Sequence, residues 1–511
     1  MLLEPGHDLH HRLLFGLRQV LHPECSPECA KTLESVAKAL ATSRPQEGWE
    51  VRDTEVWIAF SDAYGNLSKL FEEDSGLKMN DIEEVMLGIL KVTRNLAAGV
   101  PKNQREIFER GSFEIIVGWV KKLNAETLET SNDKRKLLLR IALQTLSNTV
   151  TANEELIKRA WNLWICDDVI GGLLRREDND LFEVSMICLN NNLAGSKEQS
   201  MLFVSSDFGR QTLELCLLKS EHLLHDESQN FERVHDTVSI LVRHNLASKI
   251  WSLLRSPNNQ TPLSPAQIPF LKFYAEHTQI PSELETEWFC REFLKISDHF
   301  SVLLDQITNS KSNLKEADGD GRSSDNTSGS TLDVESMSQL HAGLVLMLQV
   351  LARTAEQVGD IMLREGIVDR CVTLLGQCEK SLPRASKPAN VTLTHEEEES
   401  AAKGFMYIRR DLVRVIGNMA HGRRAVQDKV RELGGVPLIL NQANIDDYNP
   451  YIREYTILAI RNLMADNAEN QQFLKDLRPI GAAQHPVLQE VGYRTELAPD
   501  GTVRVVRAKR D

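Results

Sequence analysis

The stretch LVRVIGN at residues 412–418 is followed by GGVPLIL at 434–440 and then by YTILAIRNL at 455–463. Asn418 and Asn462 occupy the same place in the first and last of these stretches, 44 residues apart. In the last stretch apolar residues recur at spacings of three or four, which predicts an amphipathic helix. A lone helix pair cannot bury such a face, whereas stacked pairs can, so the pattern predicts a repeat array.

The same motif recurs in the N-terminal half, with Asn95 in VTRNLAAG, Asn148 in LQTLSN and Asn191 in MICLNNNLAG. Their separations are 53 and 43 residues, and a unit of about 40–47 residues is typical of armadillo and HEAT repeats. The sequence therefore predicts an all-α, armadillo/HEAT-like α-solenoid, a superhelix of stacked helical repeats. Residues 493–506 alternate in polarity around Asp500-Gly501, which predicts a short C-terminal β-hairpin tail.

Two dipeptides in this region predict where helices begin and end. Gly434-Gly435 is expected to supply the left-handed residue that separates two helices. Asn449-Pro450 is expected to cap the next helix, with the proline at its first position.

Composition narrows the class of protein. The 511 residues include 59 Lys and Arg against 73 Asp and Glu, a formal net charge of −14, and 6% are aromatic. This acidic balance argues against broad binding to nucleic acid or to an anionic membrane. No apolar run approaches the roughly 18 residues that a membrane span needs, and residues 1–21 do not resemble a signal peptide. Eight scattered cysteines favour a reducing compartment, so we expect a cytoplasmic protein.

Polar interruptions divide the chain into five predicted segments. Residues 1–304 are expected to be N-terminal armadillo-like repeats, followed by a flexible polar linker at 305–340. A further helical repeat at 341–379 precedes an acidic loop at 380–404. Residues 405–511 are expected to form a C-terminal armadillo domain.

Motifs for catalysis are missing from the sequence. It contains no G-x-x-x-x-G-K-[ST] loop, no G-x-G-x-x-G after a strand and no nucleophile elbow. His395-Glu396 begins like a zinc-protease motif, but Glu399 occupies the second ligand position. HPECSPEC at 22–29 has no convincing second pair of ligands. The prediction is a non-enzymatic protein without a cofactor or a metal site.

The recurrent amides are the best candidates for a binding surface. One interpretation is that each amide ties adjacent repeats together, because a polar amide on an apolar helix must be satisfied. The other is that some line a groove and hold the backbone of an extended peptide. Arg414, one turn before Asn418, is expected to face the same way, as is Lys91 before Asn95. The candidate protein-binding residues are Asn95, Asn148, Asn191, Arg414, Asn418 and Asn462.

The last hundred residues resemble a known family. Between Asp411 and Asp476 the elements LVRVIGNM, GGVPLILNQANIDDYNP, AIRNL and NQQ occur in order, and GYRTELAPDGTVRV follows. This segment resembles the C-terminal domain of ataxin-10 proteins, and long inserts elsewhere suggest a divergent, fungal-type member. The remainder agrees with the family only in being armadillo-like.

The resemblance implies a cytoplasmic, non-enzymatic scaffold or adaptor that acts through protein contacts, with a role in cytokinesis and cell division. By the same resemblance, partners include a G-protein β subunit and an intracellular N-acetylglucosamine transferase, which leaves a signalling adaptor as an alternative. The sequence does not decide whether the chain forms a homo-oligomer.

A second alternative is a peptide-cargo adaptor of the importin class. Importin-α carries Trp four residues before each ladder Asn, whereas other residues occupy those positions here. They are Lys91, Gln144, Ile187, Arg414 and Leu458.

Overall fold

The structure is a computed structural model, and it describes most of the chain with gaps between segments. The described residues are 2–21, 27–42, 48–72, 79–126, 133–165, 168–225, 228–255, 262–277, 281–317, 334–382, 405–444, 446–477, 488, 492–498 and 503–507. The chain forms two compact units, residues 1–278 (unit 1) and 279–511 (unit 2).

The described residues of unit 1 form helices and one pair of two-residue strands. Its helices are α1 (Asp8–Gln19), α2 (Pro27–Thr42), α3 (Thr54–Glu72), α4 (Met79–Ala97), α5 (Pro101–Glu109), α6 (Ser112–Glu126), α7 (Asp133–Val150), α8 (Glu154–Trp164), α9 (Asp168–Leu174), α10 (Asn179–Ala194), α11 (Lys197–Phe203), α12 (Asp207–His225), α13 (Gln229–Arg243), α14 (Ala247–Leu253) and α15 (Gln267–His277). Strand β1 (Leu2–Leu3) pairs in parallel with β2 (Glu50–Val51).

The helices of unit 1 repeat in threes and pack in two layers. The long helices α2, α4, α7, α10 and α13 contact one another in that order, and α3, α6, α9 and α12 form the second layer. Short helices such as α5 and α8 connect one repeat to the next. Each long helix buries an apolar stripe between the layers, as Val85, Ile89 and Leu96 do in α4.

Unit 2 is also helical and ends in a hairpin. Its helices are α16 (Glu283–Ala317), α17 (Val334–Arg364), α18 (Ile367–Ser381), α19 (Ile408–Ala420), α20 (Arg424–Glu432), α21 (Gly435–Leu440), α22 (Ile452–Met464) and α23 (Ala468–Asp476). Strands β3 (Tyr493–Leu497) and β4 (Val503–Arg507) pair antiparallel, with Tyr493 opposite Arg507.

The long helices of unit 2 form the same kind of stack. Helix α17 packs on α19, and α19 packs on α22. The second of these contacts is close, because a Cβ built on Gly417 would lie 2.8 Å from Cβ of Ala459. On the other layer α18 contacts both α20 and α21.

One of the two predicted helix boundaries is confirmed and the other is wrong. Gly434 has φ of 70° and separates α20 from α21. Helix α22, however, begins at Ile452 after Tyr451, which is left-handed with φ of 65°. Asn449 does not cap it, because its amide is buried and bonded elsewhere. Its Nδ2 donates to Asp446 Oδ2 at 2.9 Å, and its Oδ1 accepts from the Arg410 backbone N–H at 3.3 Å.

The predicted fold class is confirmed. Both units consist of stacked helical repeats of the armadillo-like α-solenoid type, and the C-terminal hairpin is present. The Asp500-Gly501 turn lies outside the described residues, as does most of the predicted acidic loop. Within the predicted linker, helices extend to Ala317 and begin again at Val334. The β1–β2 pair was not expected from the sequence.

The close contact at Gly417 predicts a stability effect. Gly417→Val should lower the midpoint of thermal unfolding of unit 2, because overpacking of this kind costs about 1–3 kcal/mol. Gly65→Ala is the control, since a Cβ there meets no atom within 4 Å, and it should stabilise by roughly 0.5–1 kcal/mol through helix propensity. Calorimetry of the full chain measures both. Equal midpoints for Gly417→Val and the unchanged chain would contradict the packing of α19 on α22.

Candidate protein-binding surface

The recurrent asparagines connect the long helices that carry them to the preceding long helix. Four of them donate Nδ2 to a main-chain carbonyl of the preceding long helix. The bonds are Asn95 to Ala37 O (2.9 Å), Asn148 to Arg94 O (3.1 Å), Asn418 to Ala352 O (2.7 Å) and Asn462 to Gly417 O (2.9 Å). These carbonyls lie inside helices, and the second lone pair of each oxygen allows the extra bond.

The ties keep a constant register. Asn148 bonds to the residue directly before Asn95, and Asn462 bonds to the residue directly before Asn418. Asn191 is the exception, because its Nδ2 donates to Ser147 Oγ at 2.8 Å and Thr151 Oγ1 at 3.1 Å. The interpretation that the amides join adjacent repeats therefore holds for the Nδ2 group of each side chain.

The Oδ1 atoms of these amides make fewer hydrogen bonds than the Nδ2 groups. All five side chains are half-buried. Asn95 Oδ1 accepts from Arg94 Nε at 3.4 Å. In the described part of the chain, Oδ1 of Asn148, Asn191 and Asn418 takes part in no hydrogen bond, and the same holds for Asn462. Each of these oxygens remains able to accept a hydrogen bond from a bound chain.

A second amide set, which the sequence analysis missed, lies deeper in the repeats. Gln427 is 3% exposed. Its Nε2 donates to the carbonyls of Asn462 (2.9 Å), Ala465 (3.2 Å) and Ala420 (3.3 Å), and its Oε1 accepts from Asn467 Nδ2 at 3.1 Å. One side chain thereby satisfies carbonyls at the C-terminal ends of two successive long helices.

Unit 1 contains the same arrangement at the matching position. Gln104 Nε2 donates to the carbonyls of Asn148 (2.9 Å) and Thr151 (3.0 Å), and its Oε1 accepts from Asn153 Nδ2 at 3.1 Å. Gln104 follows its ladder Asn by nine residues, as Gln427 follows Asn418. This spacing is the signal by which the sequence could have revealed the set.

Arg414, one turn before Asn418 on α19, belongs to a cluster of charged and aromatic side chains. Its Nη1 donates to Asp411 Oδ1 at 3.2 Å, and its guanidinium lies 4.9 Å from the Tyr455 ring centroid on α22. Arg410 binds the same carboxylate with Nε (2.8 Å) and Nη2 (2.9 Å) and lies over the Tyr407 ring at 4.4 Å. Asp411 itself is fully buried.

In unit 1, Lys91 occupies the position that matches Arg414, and Arg94 directly precedes the ladder residue Asn95. Lys91 Nζ pairs with Glu34 at 2.7 Å, and Arg94 Nη1 donates to Gln144 Oε1 at 2.6 Å. Burial lowers the pKa of Arg94 from its usual range. Lys91 and Arg94 are therefore both engaged by side chains within unit 1.

Two parallel rows of side chains on α19 and α22 form a surface that we call the ladder face of unit 2. Tyr451 is 71% exposed and Leu458 is 46% exposed. With 44 residues between equivalent positions, Leu458 matches Arg414 and Tyr451 matches Tyr407. The ladder face consists of Tyr407, Arg410, Arg414, Asn418, Tyr451, Tyr455, Leu458 and Asn462.

The described residues contain no group of three or more His, Cys, Asp or Glu side chains arranged to hold a metal ion. None of the described helices combines the length and apolar character that a membrane span requires. His395-Glu396 and most of HPECSPEC lie outside the described residues.

The ladder bonds predict different effects for two substitutions at one position. Asn418→Ala removes the tie to Ala352 and should cost about 1 kcal/mol. Asn418→Asp should cost more, because a carboxylate cannot donate and faces the carbonyl oxygen. Asn444→Asp, on an exposed turn, is the control for the charge change. Thermal unfolding of the full chain measures all three, and an Asp variant as stable as the Ala variant would contradict the assigned amide orientation.

The buried amide set predicts a larger effect. Gln427→Leu leaves the carbonyls of Asn462 and Ala465 without this donor and should destabilise the chain by about 2 kcal/mol. Gln471 is the matched control, because it follows Asn462 by nine residues but is exposed and donates to Met464 O. Gln471→Leu should change the unfolding midpoint little. Similar losses in both variants would argue against the network.

Comparisons with known proteins concentrate on the segment that carries this surface. The sequence model of the "Spinocerebellar ataxia type 10 protein domain" matches residues 408–506. An ataxin-10 homolog from Dictyostelium discoideum is 41% identical over 106 residues, 21% of this chain and 17% of that protein. Human ataxin-10 is 31% identical over 173 residues, 33% of this chain and 35% of that protein. The match thus spans about a third or less of the length of these relatives.

Among solved structures, the SYS-1/POP-1 complex contains a similar chain, with 10% sequence identity and a TM-score of 0.34 over 89% of this chain and 76% of that one. The resemblance to ataxin-10 proteins that the sequence indicated is confirmed by the sequence relatives, and it is concentrated in residues 408–506, which match the model of this domain.

Proposed function

We propose that this chain is a non-enzymatic scaffold that binds partner proteins through the ladder face of unit 2 and acts in cytokinesis and cell division in the cytoplasm. The cell-division role and the location follow from the resemblance of residues 408–506 to ataxin-10 proteins. A G-protein β subunit and an intracellular N-acetylglucosamine transferase remain the candidate partners on the same ground.

One observation carries the proposal: equivalent, accessible side chains repeat on neighbouring helices of unit 2. Arg414 and Leu458 occupy one level of the ladder face, and Asn418 and Asn462 occupy the next. Within the described segments, Oδ1 of both asparagines accepts no hydrogen bond. An extended peptide also presents groups at regular intervals, and its backbone N–H groups can donate to such oxygens. A repeat surface of this kind suits an extended partner segment.

The importin-like alternative has less support. The positions that carry Trp in importin-α hold Arg414 and Leu458 here, and the amide N–H groups of Asn418 and Asn462 are already bonded to main-chain carbonyls. A basic cargo peptide would also meet Arg410 and Arg414. We therefore favour a scaffold over a nuclear-import adaptor.

The test uses the full chain with the double substitution Arg414→Glu and Leu458→Asp in cells that lack the native copy. We expect incomplete cell separation and a raised fraction of multinucleate cells, at unchanged protein abundance. Arg453→Gln, on another side of α22, is the control and should divide normally.

Two results would contradict the proposal. Normal division after complete loss of the protein would refute the cell-division role. A division defect on complete loss that the double variant rescues fully would refute the ladder face as its binding surface.

A further inference from the structure

The chemistry of the ladder face narrows the class of partner. Arg410 and Arg414 share the buried carboxylate of Asp411, which holds both guanidinium groups in place. The rings of Tyr407 and Tyr455 lie against those groups at 4.4 and 4.9 Å. Cations fixed by a carboxylate and by aromatic faces lose little side-chain entropy when they bind a ligand.

The guanidinium groups keep donors for a ligand. Arg414 uses only Nη1, and Arg410 uses Nε and Nη2, among hydrogen bonds within the described residues. The Arg414 side chain is 26% exposed and that of Arg410 is 15% exposed. An arginine has five N–H donors, so an edge of each fork remains for a carboxylate oxygen.

The charge of this surface matches a single negative group. Two arginines over one aspartate leave one net positive charge. On the flanking helices the exposed Arg353 lies beside Ala352, to which Asn418 bonds, and the exposed Glu454 lies at the position equivalent to Arg410. These two exposed side chains carry one charge of each sign. The local positive charge contrasts with the net charge of −14 for the chain.

The neighbouring helix adds an apolar contact. Leu458 occupies on α22 the position that Arg414 occupies on α19, and Tyr451 is exposed on the same helix. A segment that crosses from α19 to α22 therefore meets a cation and then an apolar side chain. The complementary groups on the bound segment are a carboxylate facing the cation and an apolar residue facing the apolar side chain.

We infer that the ladder face of unit 2 binds an extended acidic–apolar peptide segment of a partner protein, with an Asp or Glu carboxylate on Arg410 and Arg414 and an apolar side chain on Leu458. This inference rests on the proposed function and specifies the partner's chemistry. A carboxylate carries the one negative charge that the cluster balances. A phosphate monoester carries up to two negative charges, more than the cluster leaves uncompensated.

The experiment measures binding of a fluorescent peptide of about a dozen residues, in which Glu and Leu alternate with Ser, to the full chain. Two control peptides replace Glu with Gln or with Lys. We expect the Glu peptide to bind best, and Arg414→Gln to weaken it about tenfold. Arg453→Gln, which removes an exposed arginine outside the ladder face, should leave the affinity unchanged.

A second variant separates binding from folding. Arg414→Gln removes one partner of a buried carboxylate, so its unfolding midpoint is measured in parallel. Leu458→Glu alters an exposed side chain that makes none of the hydrogen bonds or ring contacts described for the Asp411 cluster. It should weaken binding of the Glu peptide about tenfold or more by repulsion and loss of apolar contact.

The remaining outcomes each overturn the inference. Equal or tighter binding of the Gln or Lys peptide, still sensitive to Leu458→Glu, refutes the acidic chemistry while the proposed scaffold function stands. Insensitivity of the Glu peptide to both variants refutes the site, and the cell-division test then decides separately about the function. If replacement of Glu396–Glu399 by Gln greatly increases the affinity for the Glu peptide, the chain's own acidic run occupies the ladder face instead of a partner.

Discussion

The hydrogen bond from a ladder asparagine to the main chain of the preceding repeat is the interaction on which the rest of the structure depends. A repeat protein has contacts only between neighbours, so each long helix must be placed by the one before it. Apolar stripes favour contact but tolerate sliding, whereas the bond from Asn462 to Gly417 O sets one register. Because helical carbonyls have a spare lone pair, the tie adds a bond without breaking the helix.

This constraint also determines what the surface can do. With Nδ2 committed inside the stack, Asn418 and Asn462 offer only an oxygen to a ligand. A peptide backbone can therefore be held by its N–H groups, but side chains such as Arg414 and Leu458 must supply the selectivity. The buried Gln427 set complements the ladder, since it satisfies carbonyls at the C-terminal ends of two successive long helices.

The charge around the Asp411 cluster differs in sign from the net charge of the chain. The chain is acidic overall, yet the Asp411 cluster gathers two arginines and leaves one positive charge at the surface. Burial of the carboxylate matters because it strengthens the interaction with Arg410 and removes the aspartate from contact with a ligand. The total charge thus argues against nucleic acid as a partner without predicting which protein surface is used.

The sequence by itself determined the helical class, the repeat of about 44 residues, the positions of the ladder asparagines and the resemblance to the ataxin-10 domain. These features depend on local periodicity and on short ordered motifs. Only the tertiary structure decided that Asn418 donates inward, that Arg414 pairs with Asp411 against Tyr455, that Gln427 joins two repeats, and that α22 begins at Ile452. Each of these features depends on side chains brought together from separate helices or turns. The local sequence pattern does not determine which of these side chains meet or how strongly they interact.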